Sequence, residues 1–192
     1  LIDSFWNGRL DAGWTVRIGG GEAVSLALVD LVTRSQIVSI VFALLIVSVM
    51  VSLMWRSAVA GLLSLVPVIA ALSGVFTTMA ILGIHVDIVT SLLASIAIGT
   101  GVDYAIHFMG GCRHLVEDSG RCAMEKVFSI TGRAIIINAL SVTLGFSGLI
   151  FSRFVPIQQL GILFAVSTIC AGLASLTILP MLIDRINPKF LS

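Results

Sequence analysis

The sequence predicts an all-α membrane protein: five transmembrane helices preceded by the tail of a water-exposed domain. Three observations predict it. The chain is 58% hydrophobic and only 11% charged, whereas a soluble domain carries about 25% charged residues. Its mean hydropathy is +1.13. The distribution of charge decides the class. Residues 35–55, 57–84, 134–152 and 154–183 contain no Asp, Glu, Lys or Arg, and 88–110 contain only Asp103. A helix needs roughly 20 apolar residues to cross a hydrocarbon core of about 30 Å, and every run is long enough. Core helices of a soluble protein would need a polar face that these runs lack. Strands are excluded by run length and by the lack of period-two alternation.

In chain order, residues 1–20 ("LIDSFWNGRLDAGWTVRIGG") mix polar, aromatic and glycine residues without a helical stripe. They read as the tail of an extracytoplasmic domain, with a flexible exit at Gly19–Gly21. Residues 21–35 carry Glu22, Asp30 and Arg34 among apolar positions and predict a helix approaching the membrane. The transmembrane domain then occupies 36–192. Its spans are expected at about 36–55, 57–83, 87–110, 133–152 and 157–183. Pro67 lies inside the second and Pro180 near the end of the fifth; each frees a carbonyl and predicts a kink. Gly132, Gly145, Gly148, Gly161 and Gly172 allow helices to approach closely.

The connection 114–131 is the long one. Ala123, Val127 and Ile130 recur at helical spacing, with Glu117, Asp118, Arg121, Glu125 and Lys126 on the polar side. This predicts an amphipathic linker helix lying along the interface; an ordinary polar connector is the competing reading. Loop cations set the orientation. Arg56, Arg113, Arg121, Lys126, Arg133, Arg185 and Lys189 fall on one side, against Arg34 and Arg153 near the membrane on the other. Cytoplasmic loops are enriched in Lys and Arg, so the C-terminus is expected in the cytoplasm and the N-terminal segment outside, in a cell inner membrane. Cys170 lies inside the last span, and Cys112 and Cys122 share one connection. All three read as free thiols, in lipid or on a reducing face. The net charge of +1 gives no sign of a nucleic-acid partner. The chain opens on Leu1 without a signal-peptide layout and reads as a piece of something longer.

"SIAIGTGVDYAIHF", residues 95–108, holds the chemistry. Asp103 lies 16 residues after Asp87, about 24 Å into the bilayer at roughly 1.5 Å per residue. A carboxylate at the centre of a membrane helix costs about 2.5–3.5 kcal/mol. It is tolerated where it faces a bundle interior or a wet cavity, and it marks a functional site by default. A structural hydrogen-bonding role is the alternative. Apart from Arg133 at the very edge of the fourth, the five spans contain no Lys or Arg to hold its charge, which suits an acid that takes up and releases a proton. Gly99, Asp103 and His107 share one helix face at i, i+4 and i+8. His107 either passes that proton or simply reaches the interface. Tyr104 flanks the acid, Gly99 and Gly101 admit a neighbouring helix, and Thr100 adds a hydroxyl. Asn138, followed by Ser141 and Thr143, enters the fourth span at a comparable depth. Gln158 and Gln159 mark the outer interface of the fifth.

Cofactor and metal chemistry find no footing. "GTGVDY" places Tyr104 where a dinucleotide fingerprint needs glycine, and no strand precedes it. There is no Walker lysine, and His85, His107 and His114 lack metal-site spacing.

"AIGTGVDYAIHF" resembles the fourth or tenth membrane helix of the resistance–nodulation–division (RND) superfamily, in its MmpL-type and predicted-exporter branches. Gly99, Gly101, Asp103 and Tyr104 match that family's Gly-x-Gly-x-Asp-Tyr motif. "WRSAVAGLLSLVP", "TGRAIIINALSVTLGF" and "QLGILFAVSTICAGLASLTILPMLI" resemble the helices around it, so the likeness covers nearly the whole chain. The resemblance implies five helices of one six-helix transmembrane half, its C-terminal one, following the end of an extracytoplasmic domain. It implies a secondary active transporter, not an enzyme. Such a protein exports lipids or other hydrophobic molecules against inward proton flow, with Asp103 and Tyr104 in the proton relay. The bilayer, a lipid substrate, protons and the other transporter half would be its partners. A sterol-sensing-like lipid-binding domain and a SecDF-type translocation subunit are the competing functions.

Overall fold

The computed structural model describes residues 21–115 and 122–186. The expected extracytoplasmic tail at 1–20, the middle of the 114–131 connection, and Lys189 lie outside the described residues. Five helices long and apolar enough to cross a membrane make up the fold, and the chain is an all-α membrane protein.

Helix α1 runs unbroken over Gly21–Trp55, so the approach segment and the first span are one rod. It ends where Arg56 turns to φ 50°, a region that non-glycine residues rarely adopt. The Ser57 N–H reaches back to the Ser52 carbonyl at 3.0 Å. Helix α2 covers Ala58–Leu82 and stops at Gly83. There a φ of 65° lets the next N–H groups close on the Met79 carbonyl, a left-handed cap that glycine adopts without a steric penalty.

Helix α3, Ile88–His114, opens on a capping box. The Thr90 N–H donates to Asp87 Oδ1 at 2.8 Å, and the Asp87 N–H donates to Thr90 Oγ1 at 2.7 Å. Two donors that the helix itself leaves unpaired are thereby satisfied.

Helix α4 spans Met124–Phe151, with a π-helical turn at Phe128–Gly132 and a tight 3-10 turn at Gly148–Phe151. Residues 124–131 of the segment read as an interfacial linker therefore belong to the fourth helix itself. The π turn adds residues to one helical turn and rotates the rest of the helix relative to its start. Ala123 and Val127 are buried while Ile130 points outward, so the regular spacing of these three does not make one face. Helix α5 covers Val155–Ile186 and breaks at Thr177. Pro180 has no N–H to give, and its ring crowds the carbonyl of Leu176, where the first part of the helix ends.

Helices α2, α3 and α5 form the centre, and α1 and α4 flank it with mostly exposed surfaces. Successive helices cross in alternate directions. Helix α1 lies alongside α3 in the same direction, because Gln36 Nε2 reaches the Ser91 carbonyl at 3.4 Å near their starts and Arg113 meets Trp55 near their ends. The core is made of small and branched side chains: Ala60, Val68 and Ala71 of α2, Ala97, Ala105 and Phe108 of α3, Leu163 and Ala171 of α5. Lipid offers no hydrophobic drive for helices to associate, so close van der Waals packing has to supply it. One close approach, between α2 and α3, is at Gly101. A Cβ added there would lie 2.8 Å from Val68 Cα and 2.9 Å from Val68 N. The exposed faces carry Ile37, Phe42, Leu45 and Leu53 on α1 and Ile137, Leu140 and Leu144 on α4, as a lipid-facing surface requires.

One expectation is corrected here. Cys112 and Cys122 are joined as a disulfide, with Cα atoms 5.0 Å apart, and among the described residues only Cys170 is a free thiol. The sequence hides the reversal that brings them together. Leu115 closes α3 and its carbonyl accepts from the Ala123 N–H at 2.8 Å, so the chain folds back and sets Cys122 beside the last helical turn.

Gly101→Ala is expected to lower stability by about 1–3 kcal/mol, the usual cost of overpacking. Gly99→Ala, where an added Cβ meets nothing within 4 Å, should stay within about 0.5 kcal/mol. Thermal unfolding of the two variants in one detergent checks the contrast.

Candidate functional site

The site arises from how α3 is rotated. Ala97, Gly101, Ala105 and Phe108 face the core. The opposite side presents Ser95, Gly99, Asp103 and His107, all of them exposed. Successive helical residues turn by about 100°, so Asp103 stands roughly opposite Gly101. In the span Thr90–His114 it sits 11 residues before the end, about 16 Å along the axis. A carboxylate is thus displayed on the outside of five packed helices at membrane depth. Among the described residues it has no hydrogen bond or ion pair.

The other expected relay residues do not gather around it. Tyr104 points the other way and is 2% exposed. Its ring lies toward Gly172 of α5, which in turn faces Ala139 of α4. The Ser175 hydroxyl donates to the Tyr104 carbonyl at 3.1 Å, a buried tie between α3 and α5. Asn138 is exposed on α4, one residue from the Ala139 that faces inward. His107 shares the Asp103 face one turn further along α3, and no hydrogen bond joins the two. Of the glycines, Gly101 is filled by α2, whereas Gly99 opens onto the same free surface as Asp103. Thr100 is not part of that surface chemistry; its hydroxyl bonds back to the Ala97 and Ile96 carbonyls of its own helix.

Below His107 the free face of α3 leads into a cavity of about 860 Å³. His107, Gly110, Arg113 and His114 line it from α3, Trp55 from α1 and Thr131 from α4. The Arg113 guanidinium carbon lies over the Trp55 ring, 5.4 Å from its centre. Sequence reasoning placed Arg113 among loop cations and passed over Trp55. The signal was a tryptophan at a helix end, where aromatic residues mark the membrane interface. Ser175 gave no signal, because a serine in a small-residue helix reads as packing. Among the described residues no group of His, Cys, Asp and Glu is placed to hold a metal ion.

The sequence model of the MMPL family matches residues 7–187, a stretch that includes all five helices and the Asp103 face. The chain belongs to the MMPL family. It is 29% identical over 177 residues to the apo-petrobactin exporter of Bacillus anthracis, covering 88% of this chain and 24% of that protein. A putative membrane protein of Methanocaldococcus jannaschii is 28% identical over 130 residues, covering 65% of this chain and 32% of its own length. The chain therefore spans about a quarter to a third of the curated relatives it matches. No solved structure matches it. This MMPL chain is a multi-pass membrane protein.

Removing the Ser175 hydroxyl tests how firmly Tyr104 is held. Ser175→Ala is expected to cost about 0.5–1.5 kcal/mol, the usual net value of one hydrogen bond. Thermal unfolding reads the loss, and a shift in Tyr104 fluorescence should accompany it.

Proposed function

We propose that this chain is part of a secondary active exporter that moves lipids or other hydrophobic molecules out of the cell and is driven by protons moving inward. One observation carries the reading. Asp103 stands at membrane depth on an exposed helix face, with no ion pair among the described residues. An acid in that position is retained at a cost of a few kcal/mol, and proton coupling gives that cost a purpose. Each charge crossing inward supplies about 2.3 kcal/mol per 100 mV. The family and the exporter among the relatives support transport as the activity.

In this mechanism Asp103 takes up a proton while it faces one side and releases it while it faces the other. His107, one turn along the same face, is the next station toward the cavity. Tyr104 acts from behind: its burial and the Ser175 bond hold α3 in the rotation that displays the acid. Gly99 lets a covering helix come close to Asp103, and Asn138 is available to that helix from α4. The covering helices belong to the other transporter half, in the same polypeptide or a partner. The cation-rich loops put the C-terminus in the cytoplasm, so protons leave Asp103 toward the His107 end.

Asp103→Asn keeps the size and polarity of the side chain and removes the proton. The variant is expected to insert at normal levels, and its proton-dependent substrate uptake into inverted vesicles, the equivalent of efflux from the cell, should fall to that of vesicles without transporter. Asp103→Glu should retain part of the activity. Efflux by Asp103→Asn at the unmodified rate would sink the relay. Loss of efflux together with loss of the protein from the membrane would point to a structural role instead.

A further inference from the structure

The cavity at the C-terminal end of α3 has chemistry that proton transfer does not use. Its volume of about 860 Å³ falls within the roughly 300–1,000 Å³ of small-molecule sites. We infer that it takes the phosphate headgroup of an anionic phospholipid from the leaflet at this end of the bundle.

Charge complementarity argues for that occupant. Arg113, His114 and His107 line the cavity, and no Asp or Glu among the described residues does. Asp103 lies on the same helix face one turn above His107 and is not part of the lining. The last carbonyls of α3 bring about half a negative charge to this end; the full charge of Arg113 exceeds it, and the two imidazoles add polar nitrogens to the lining. Arg113 is also held in place. Its guanidinium carbon lies over the Trp55 ring, 5.4 Å from the ring centre, within cation–π range, and its fork of N–H donors suits a phosphate. Trp55 ends α1, and a tryptophan there puts the cavity at headgroup depth. Thr131 contributes a hydroxyl, and the apolar part of the lining, Ile106 and Ile130 among it, suits the first carbons of an acyl chain. Basic pockets between membrane helices are recognised as sites for anionic headgroups. The inference rests on the membrane fold alone, so failure of the Asp103 relay leaves it standing.

Native mass spectrometry of the intact transporter in a neutral detergent tests it. The probes are dioleoylphosphatidylglycerol and dioleoylphosphatidylcholine at equal concentration. Phosphatidylglycerol is expected to be retained about fivefold or more over phosphatidylcholine, since one basic side chain near a charged headgroup is worth roughly that factor. Arg113→Gln with His114→Gln should make retention of the two lipids equal. Because that pair also neutralises a helix end, a second variant decides if the first fails to fold. Gly110→Leu fills the cavity where an added Cβ meets nothing within 4 Å, and it keeps Arg113 and His114; it too should abolish the preference. Millimolar inorganic phosphate should leave phosphatidylglycerol bound. Equal retention by the unmodified protein, or a preference that survives Gly110→Leu, overturns the site. Displacement by inorganic phosphate overturns the lipid as its occupant in favour of a free anion.

Discussion

The contact of Gly101 with the backbone of Val68 is the constraint on which the rest depends. It brings α2 and α3 together with no side chain between them, and it fixes how α3 is turned about its own axis. At about 100° per residue, residue 103 then lies roughly opposite the contact and residue 104 falls on the side of α5. That single rotation buries Tyr104 and exposes Asp103, two neighbours in sequence with opposite environments. The Ser175 bond to the Tyr104 carbonyl locks the same rotation from the other flank. A side chain at 101 would force the helices apart, and α3 would be free to roll its acid toward lipid or into the core.

The exposed acid is the opposite of what lipid tolerates, so its surface implies company. A carboxylate facing hydrocarbon costs a few kcal/mol, and its i−4 and i+4 neighbours on the face are a glycine and a histidine, with exposed Leu92 and Ile96 further up. Ser95 and Gly99 lie above it and His107 below. On α4, Ala134, Asn138, Ser141 and Gly145 are also exposed, among large apolar residues that suit lipid. Such side chains give lipid tails little to pack on, whereas they let another helix approach and hydrogen-bond. The five helices are thus well packed at α2, α3 and α5 and open along one face of α3.

The spans were legible because lipid writes them into the composition: a stretch without charge and about 20 residues long has few other meanings. The buried faces were not. A helix that is apolar all round has no stripe to distinguish core from lipid, so nothing in "VDYA" announced that Tyr104 faces in and Asp103 out. Ala123, Val127 and Ile130 looked like one face of an interfacial helix, but the π turn at Phe128–Gly132 changes the helical period between them. The disulfide between Cys112 and Cys122 depends on a chain reversal, which spacing alone does not carry. Asp103 itself was readable for the opposite reason: one acid in a charge-free run stands out whatever its rotation.

The two ends of α3 are finished differently, and the difference bears on function. At its start the capping box of Asp87 and Thr90 satisfies the free N–H groups within four residues, leaving little to bind there. At its end the neutralising charge belongs to Arg113, which with His114 also lines an open cavity. His107 is both the residue one turn from Asp103 and a wall of that cavity. A headgroup seated against Arg113 therefore occupies the space through which His107 meets water. The proposed proton station and the proposed lipid site share His107, which would couple the lipid composition of that leaflet to the rate of proton release from Asp103.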